Sequence, residues 1–225
     1  MLNILKTTKI EPWRFLVATL VIIAGDWGVI NAQGESFLSL FNFTFLLIAG
    51  LISLTILLGW PNLKALFKKM SKGNWKWVFF AIIAEVILTY AFAFVGDILN
   101  QSLADNGAVE GLGSLGDLLL SFPFLSLSLI GEELLISTLF ILTFVIINKF
   151  FTDKQSVIIA TLCSLTVFGL SHYRVYDGNL YQCIVVIGLA HIPTIYAWLK
   201  TETLWVPIAI HIIYDFLLLA LVSVA

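Results

Sequence analysis

Two adjacent carboxylates, Glu132 and Glu133, stand in the middle of an apolar run that extends from about Leu118 to Phe150. One charge at the centre of a bilayer costs about 3 kcal/mol on insertion scales, so a pair of them points to function. Two further polar sets follow in equally apolar surroundings: Phe168 with His172, and His211 with Asp215 after the stretch Leu204-Trp205-Val206-Pro207-Ile208. Residues four apart share a helix face, so each set presents its two side chains together. Adjacent helical residues diverge by about 100°, so Glu132 and Glu133 cannot aim at one atom. One glutamate faces a site and the other supports it. Two imidazoles and a carboxylate around one point suit either of two chemistries. They can form an open zinc site that lowers the pKa of bound water. They can also activate water without metal, with other groups stabilising the oxyanion. Both lead to hydrolysis.

These residues are carried by a chain of 225 residues that is 60% hydrophobic and 12% charged, with mean hydropathy +1.02. That excludes a soluble globular domain, whose apolar share is nearer half. Lipid offers no partner to a free backbone amide, and the apolar runs are too long for barrel strands. The expected fold is therefore all-α, a polytopic transmembrane bundle of about seven spans. They cover Trp13 to Ala32, Phe37 to Trp60, Trp77 to Val95, Leu118 to Phe150, Val157 to His172, Leu180 to Trp198 and Leu204 to Val224. The fourth run exceeds the 20 or so residues one crossing needs. Pro123 suits a helix start, because its missing amide hydrogen costs nothing in the first turn. Leu118 to Phe122 would then be a lead-in segment, or an eighth span if it forms a separate helix. No repeat or second domain is visible, so residues 1–225 read as one integral membrane domain.

Of the twelve basic residues, only Arg174 falls on the side opposite Lys6, Lys9, Arg14, the lysines between spans two and three, Lys149, Lys154 and Lys200. The positive-inside rule places the amino terminus in the cytoplasm. A cleaved signal peptide is disfavoured for the first span by Asp26 and by Ile30 near its end. The basic loop Pro61 to Lys76 carries Leu66, Phe67 and Met70, which points to docking on anionic lipid headgroups and not to nucleic acid. An external Gly- and acid-rich loop, residues 96–117, reads as a lid or a solvated linker, with linker preferred. Cys163 and Cys183 lack paired spacing and read as small core hydrophobes. Asp26 and Glu85 each face a cavity or pack as neutral carboxyls. His191, two residues before Pro193, is expected to be a structural histidine. Depths counted from span ends disagree: His172 falls near the outer end of its helix and His211 in the inner half of its own.

The order and membrane setting of Glu132-Glu133, Phe168-x-x-x-His172 and His211-x-x-x-Asp215 resemble the CPBP (CAAX protease and bacteriocin-processing, or Abi) intramembrane proteases, over roughly residues 118–221. The resemblance implies an endopeptidase site inside the bilayer, acting on a peptide or lipidated protein substrate, in a bacterial cytoplasmic membrane. It implies Glu132 as the water-activating base with His172, and His211 and Asp215 at the oxyanion. In a zinc reading, Glu132, His172 and His211 would hold the ion, with Asp215 as ligand or directly behind one. Glu133 would be the supporting carboxylate. Where the family's first motif ends in arginine, this chain has Ser137, and a hydroxyl cannot replace that charge. Arg174 is the expected substitute partner for Glu133. An ionised Asp215 would repel an oxyanion, so without metal it must be protonated or orient His211. Two other classes stay open: a non-catalytic relative serving as a bacteriocin self-immunity or interaction protein, and a proton-coupled carrier.

Overall fold

The computed structural model describes residues 1–32, 39, 41–104 and 114–224, and among them every regular element is helical. A short helix α1 (Leu2–Thr7) precedes α2 (Pro12–Asn31), α3 (Asn42–Leu58), α4 (Trp60–Leu66) and α5 (Trp75–Ile98). Then follow α6 (Leu115–Ile147), α7 (Asp153–Ser171), an irregular helical stretch (Gln182–His191), α8 (Ile192–Thr201) and α9 (Trp205–Val224). The chain is an all-α, multi-pass membrane protein. Five helical stretches are long and apolar enough to cross a bilayer by themselves, and α3 with α4 makes a sixth, bent by 119°. The bend falls at Gly59, whose φ of +74° is open to glycine at little cost, and Pro61 then starts α4. The run that carries the last polar pair, Trp205–Leu221, is shorter than these.

The fourth span departs from its expected shape. Helix α6 begins at Leu115, where the Ser114 hydroxyl accepts the Asp117 amide at 3.2 Å, and it continues through Pro123 without a break. Pro123 therefore neither starts the helix nor divides two spans. The cap is a stronger start signal than the proline, since it satisfies an amide that lipid could not. At 33 residues α6 is about 50 Å long, well beyond the hydrocarbon thickness, and Glu132 lies near its middle. The loop expected over residues 96–117 is also shorter: Gly96 to Ile98 complete α5 and Leu115 to Asp117 open α6. Its near end is pinned, because Gln182 receives the Ala104 amide at 2.7 Å and donates to the Ala104 carbonyl at 2.9 Å. The choice between lid and linker concerns 105–113, which lie outside the described residues, as does most of the turn 31–36.

Close backbone approach fixes α6 in the bundle. A Cβ on Gly131 would meet the Leu47 amide nitrogen at 2.7 Å, and one on Gly50 would meet Leu134 Cβ at 2.4 Å. Small residues are what allow membrane helices to approach this nearly. The second half of α6 runs through the main core of the bundle, with Phe140 edge-on to the buried Trp198 of α8 at 5.5 Å. The opposite surfaces are apolar and bare: Leu16, Leu20, Ile23 and Trp27 of α2 and Phe79, Ile83, Ile87 and Phe94 of α5 all face outward. Those are lipid-facing stripes. Cys183 is buried as expected, but Cys163 sits on an exposed face of α7, because the small residues of that helix that are packed inward are Ala160 and Ser164.

The stretch before α8 is wound as a π-helix over Gln182–Gly188 and as a 3-10 turn over Leu189–His191. A Cβ on Gly169 would meet the Cys183 carbonyl oxygen at 2.1 Å, so α7 lies backbone to backbone against this widened segment. Such widened turns occur frequently at functional sites. Here the change of winding delivers His191, the residue that caps α8, to the bundle interior.

Candidate active site

Helices α6, α7 and α9 bring their polar residues to one place. Glu133 is fully enclosed, and a single oxygen, Oε1, takes His211 Nδ1 at 2.8 Å and His191 Nε2 at 2.7 Å. His191 Nδ1 in turn lies 2.6 Å from Glu85 Oε1, and Thr194 donates to Glu85 Oε2 at 2.8 Å. The result is a dry chain of polar contacts from α5 through α8 and α6 to α9, all of them buried. Glu132, one residue away, points elsewhere, as the 100° step of a helix requires. Its Oε2 stands 3.8 Å from His172 Nε2 and 3.9 Å from His211 Nε2, and Asp215 Oδ2 stands 3.8 Å from the same His211 nitrogen. These separations exceed direct hydrogen bonds and leave room for a small occupant among the four groups. The side chains of Glu132, His172 and Asp215 keep 17%, 22% and 33% exposure, so water can reach them.

The protons follow from the partners. His172 Nδ1 lies 3.0 Å from the Phe168 carbonyl oxygen, which can only accept, so that nitrogen carries the hydrogen. His211 Nδ1 is occupied by Glu133. Both rings therefore turn an Nε2 lone pair toward the pocket, beside two carboxylates. Phe168 separates this wet side from the dry chain: its ring sits 4.9, 5.6 and 6.1 Å from the rings of His172, His191 and His211. Tyr176 stacks near His172 at 6.3 Å. Burial, then the charges of Asp215 and Glu132, push its phenol above the ordinary range, so it stays a donor. Asp26 of α2 is half-buried.

Whatever the depths counted from span ends, His172 and His211 both reach Glu132: His211 is the seventh residue of α9, about 9 Å from its start, and that start is tied to the end of α4 by the Leu204 amide on the Leu66 carbonyl at 2.8 Å. Two other expectations fail. Arg174 is exposed and pairs with no carboxylate among the described residues; the partners of Glu133 are His191 and His211. His191 is no mere packing residue, since both of its nitrogens meet carboxylates. Ser137 is buried one turn after Glu133 and adds no charge.

Residues 114–217 match the family model described as Type II CAAX prenyl endopeptidase Rce1-like. This stretch, a little under half of the chain, is similar to that family. No curated protein and no solved structure matches the chain significantly. The matched stretch holds Glu132, Glu133, Phe168, His172, His191, His211 and Asp215, whereas Asp26 and Glu85 come from helices before it. The match implies endopeptidase chemistry in a membrane setting, with lipid around the protein and a peptide as substrate.

Metal binding can be tested against the donors. Glu133, His191 and His211 offer ligand atoms within 4.8 Å of one another and can hold an ion. In the arrangement described, protons fill that space: the contacts of 2.7 and 2.8 Å are shorter than the roughly 3.4 Å between two ligands of a tetrahedral zinc. In the wet group, Glu132 stands 3.8 and 3.9 Å from the two imidazoles and Asp215 3.8 Å from one of them, so its donors would have to draw together around an ion.

Proposed function

We propose that this protein is an intramembrane endopeptidase that hydrolyses a peptide bond in a membrane-anchored or lipidated polypeptide, of the CAAX type or a leader peptide. The observation that supports this most is the half-open pocket in which two imidazole Nε2 atoms face Glu132 and Asp215. The catalytic group set is Glu132, His172, His211 and Asp215, with Glu133 behind His211.

Glu132 takes a proton from the attacking water, which a carboxylate within one water of the substrate can do. His172, whose Nδ1 is tied to the Phe168 carbonyl, receives that proton on Nε2 and returns it to the leaving amine. The new oxyanion needs a donor. A protonated Asp215 carboxyl beside His211 supplies one, and the hydroxyl of Tyr176, whose ring stacks near His172, supplies another. In a metal route, Glu132, His172 and His211, with Asp215, are residue types that would hold a zinc once drawn together, and the ion would polarise the scissile carbonyl and acidify the water. The reading as a non-catalytic relative rested on the serine at 137. Glu133 keeps two imidazole partners without an arginine, which supports the catalytic reading over that one.

The setting we propose is a bacterial cytoplasmic membrane, and the lysine-rich ends support an amino terminus on its cytoplasmic side. The test is cleavage of lipidated and unlipidated peptides by the purified, reconstituted protein, read by mass spectrometry. Cleavage at one bond, lost in Glu132→Ala, is expected; no cleavage, or cleavage unchanged in that variant, would refute the proposal. A chelator arm separates the two routes, since activity lost to chelation and restored by zinc identifies a metalloenzyme.

A further inference from the structure

We propose that Glu85 and His191 form a positioning dyad for this reaction: they hold Glu133, and Glu133 holds His211 with its Nε2 turned into the pocket. This rests on the peptidase reading above and adds two residues to it. One of them, Glu85, lies on α5 outside the matched residues 114–217.

The geometry is that of a brace. His191 spans two carboxylates from different helices, at 2.6 Å to Glu85 and 2.7 Å to Glu133. Thr194, one turn along α8, secures the second Glu85 oxygen at 2.8 Å. Glu85, Glu133, His191 and Thr194 are each no more than 3% exposed. Each imidazole–carboxylate contact holds one proton, whichever atom carries it, so no member of the chain can turn without leaving a buried polar atom unpaired. At the far end, Glu133 Oε1 fixes the hydrogen of His211 on Nδ1 and thereby frees Nε2 for chemistry. Without that acceptor, either tautomer of His211 becomes available, and only one of them is useful.

A purely structural account is weaker. Burying three ionisable groups is no economical route to stability, because well-packed apolar residues of the same volume do as well or better. Fixed orientation is what the chain supplies instead. The widened helix before α8 serves the same end, since it sets the register at which His191 reaches Glu85 and Glu133 together.

Two variants of the full-length protein test the dyad. Glu85→Gln keeps the shape of the brace and removes its charge, and His191→Asn removes the imidazole. Each should lower kcat about 10- to 100-fold, the scale of losing a partner behind a working ligand, while KM stays within about twofold. The double variant should fall no further than the worse single one, because the two act as a unit. Losses confined to KM, or losses that multiply, would overturn the proposal. A second readout needs no turnover: nitrogen-15 spectra of histidine-labelled protein in micelles. Wild-type His211 should show the Nδ1–H tautomer alone, and each folded variant a mixture. A pure Nδ1–H signal in the variants would refute the dyad even if the protein proved to cleave nothing. Should His191→Asn fail to fold, Glu85→Gln carries both tests.

Discussion

Around Glu133 the polar contacts are 2.6 to 2.8 Å long and closed to water, whereas around Glu132 the nearest nitrogens stand 3.8 and 3.9 Å away and the groups remain partly exposed. The two carboxylates are adjacent in sequence and share a helix, yet one belongs to a rigid interior and the other to a reaction vessel. His211 belongs to both, with Nδ1 in the first and Nε2 in the second. A dry, saturated chain has no capacity for a substrate; it can only hold its end group still. A pocket with gaps of nearly 4 Å cannot hold itself rigid, but it admits water and a peptide. Membrane hydrolysis needs both, and the 100° between neighbouring helical residues lets one dipeptide serve the two regions.

Three substitutions would sharpen this contrast. On the wet side, His172→Ala removes the proton carrier and should lower kcat about 10²- to 10³-fold, with the thermal midpoint of the detergent-solubilised protein unmoved, as activity and unfolding assays would show. At the junction, Gly131→Ala forces a methyl against the Leu46 and Leu47 backbone, where nothing flexible can yield. It should cost about 1 to 3 kcal/mol of stability by overpacking, visible as a lowered midpoint, with activity falling as α6 shifts. Away from both regions, Arg174→Ala alters an exposed side chain with no carboxylate partner among the described residues. Its effect on the cleavage rate should stay within about twofold, the scale of ordinary surface changes. A loss as deep as that of His172→Ala would return Arg174 to the site.

Much of the wet side was legible in the sequence, because its residues come in spaced pairs. Phe168 with His172 and His211 with Asp215 each recur at helical spacing inside apolar runs, where polar groups are costly enough to stand out. The dry side was not legible. Glu85 and His191 are single polar residues in separate spans, and nothing in their spacing says that a residue 106 positions away is the partner. The available signal was energetic: a lone buried carboxylate and a lone buried imidazole each need a counterpart, so two of them in one small bundle are expected to find each other. The expected Arg174–Glu133 pair failed for a related reason, since it matched charges without asking which face of the α7 end Arg174 occupies. Helix starts were misplaced where the cap was overlooked: Ser114 with Asp117 and Thr152 with Gln155 both open helices several residues before the apolar run. The winding change over Gln182–His191 has no local pattern that periodicity could reveal, because it answers to the packing of Gly169 and Gly188 on neighbouring backbone.

The division of labour between the two glutamates is tested most directly by Glu132→Gln and Glu133→Gln, compared for single-turnover cleavage and thermal midpoint in one membrane mimetic. Glu132→Gln should lose about 10³-fold in rate and keep the wild-type midpoint. Glu133→Gln should lose rate and also about 3 to 5 kcal/mol of stability, as expected when one partner of a buried charged chain is removed. Near-wild-type cleavage by Glu132→Gln, or equal falls in midpoint for both variants, would contradict the account.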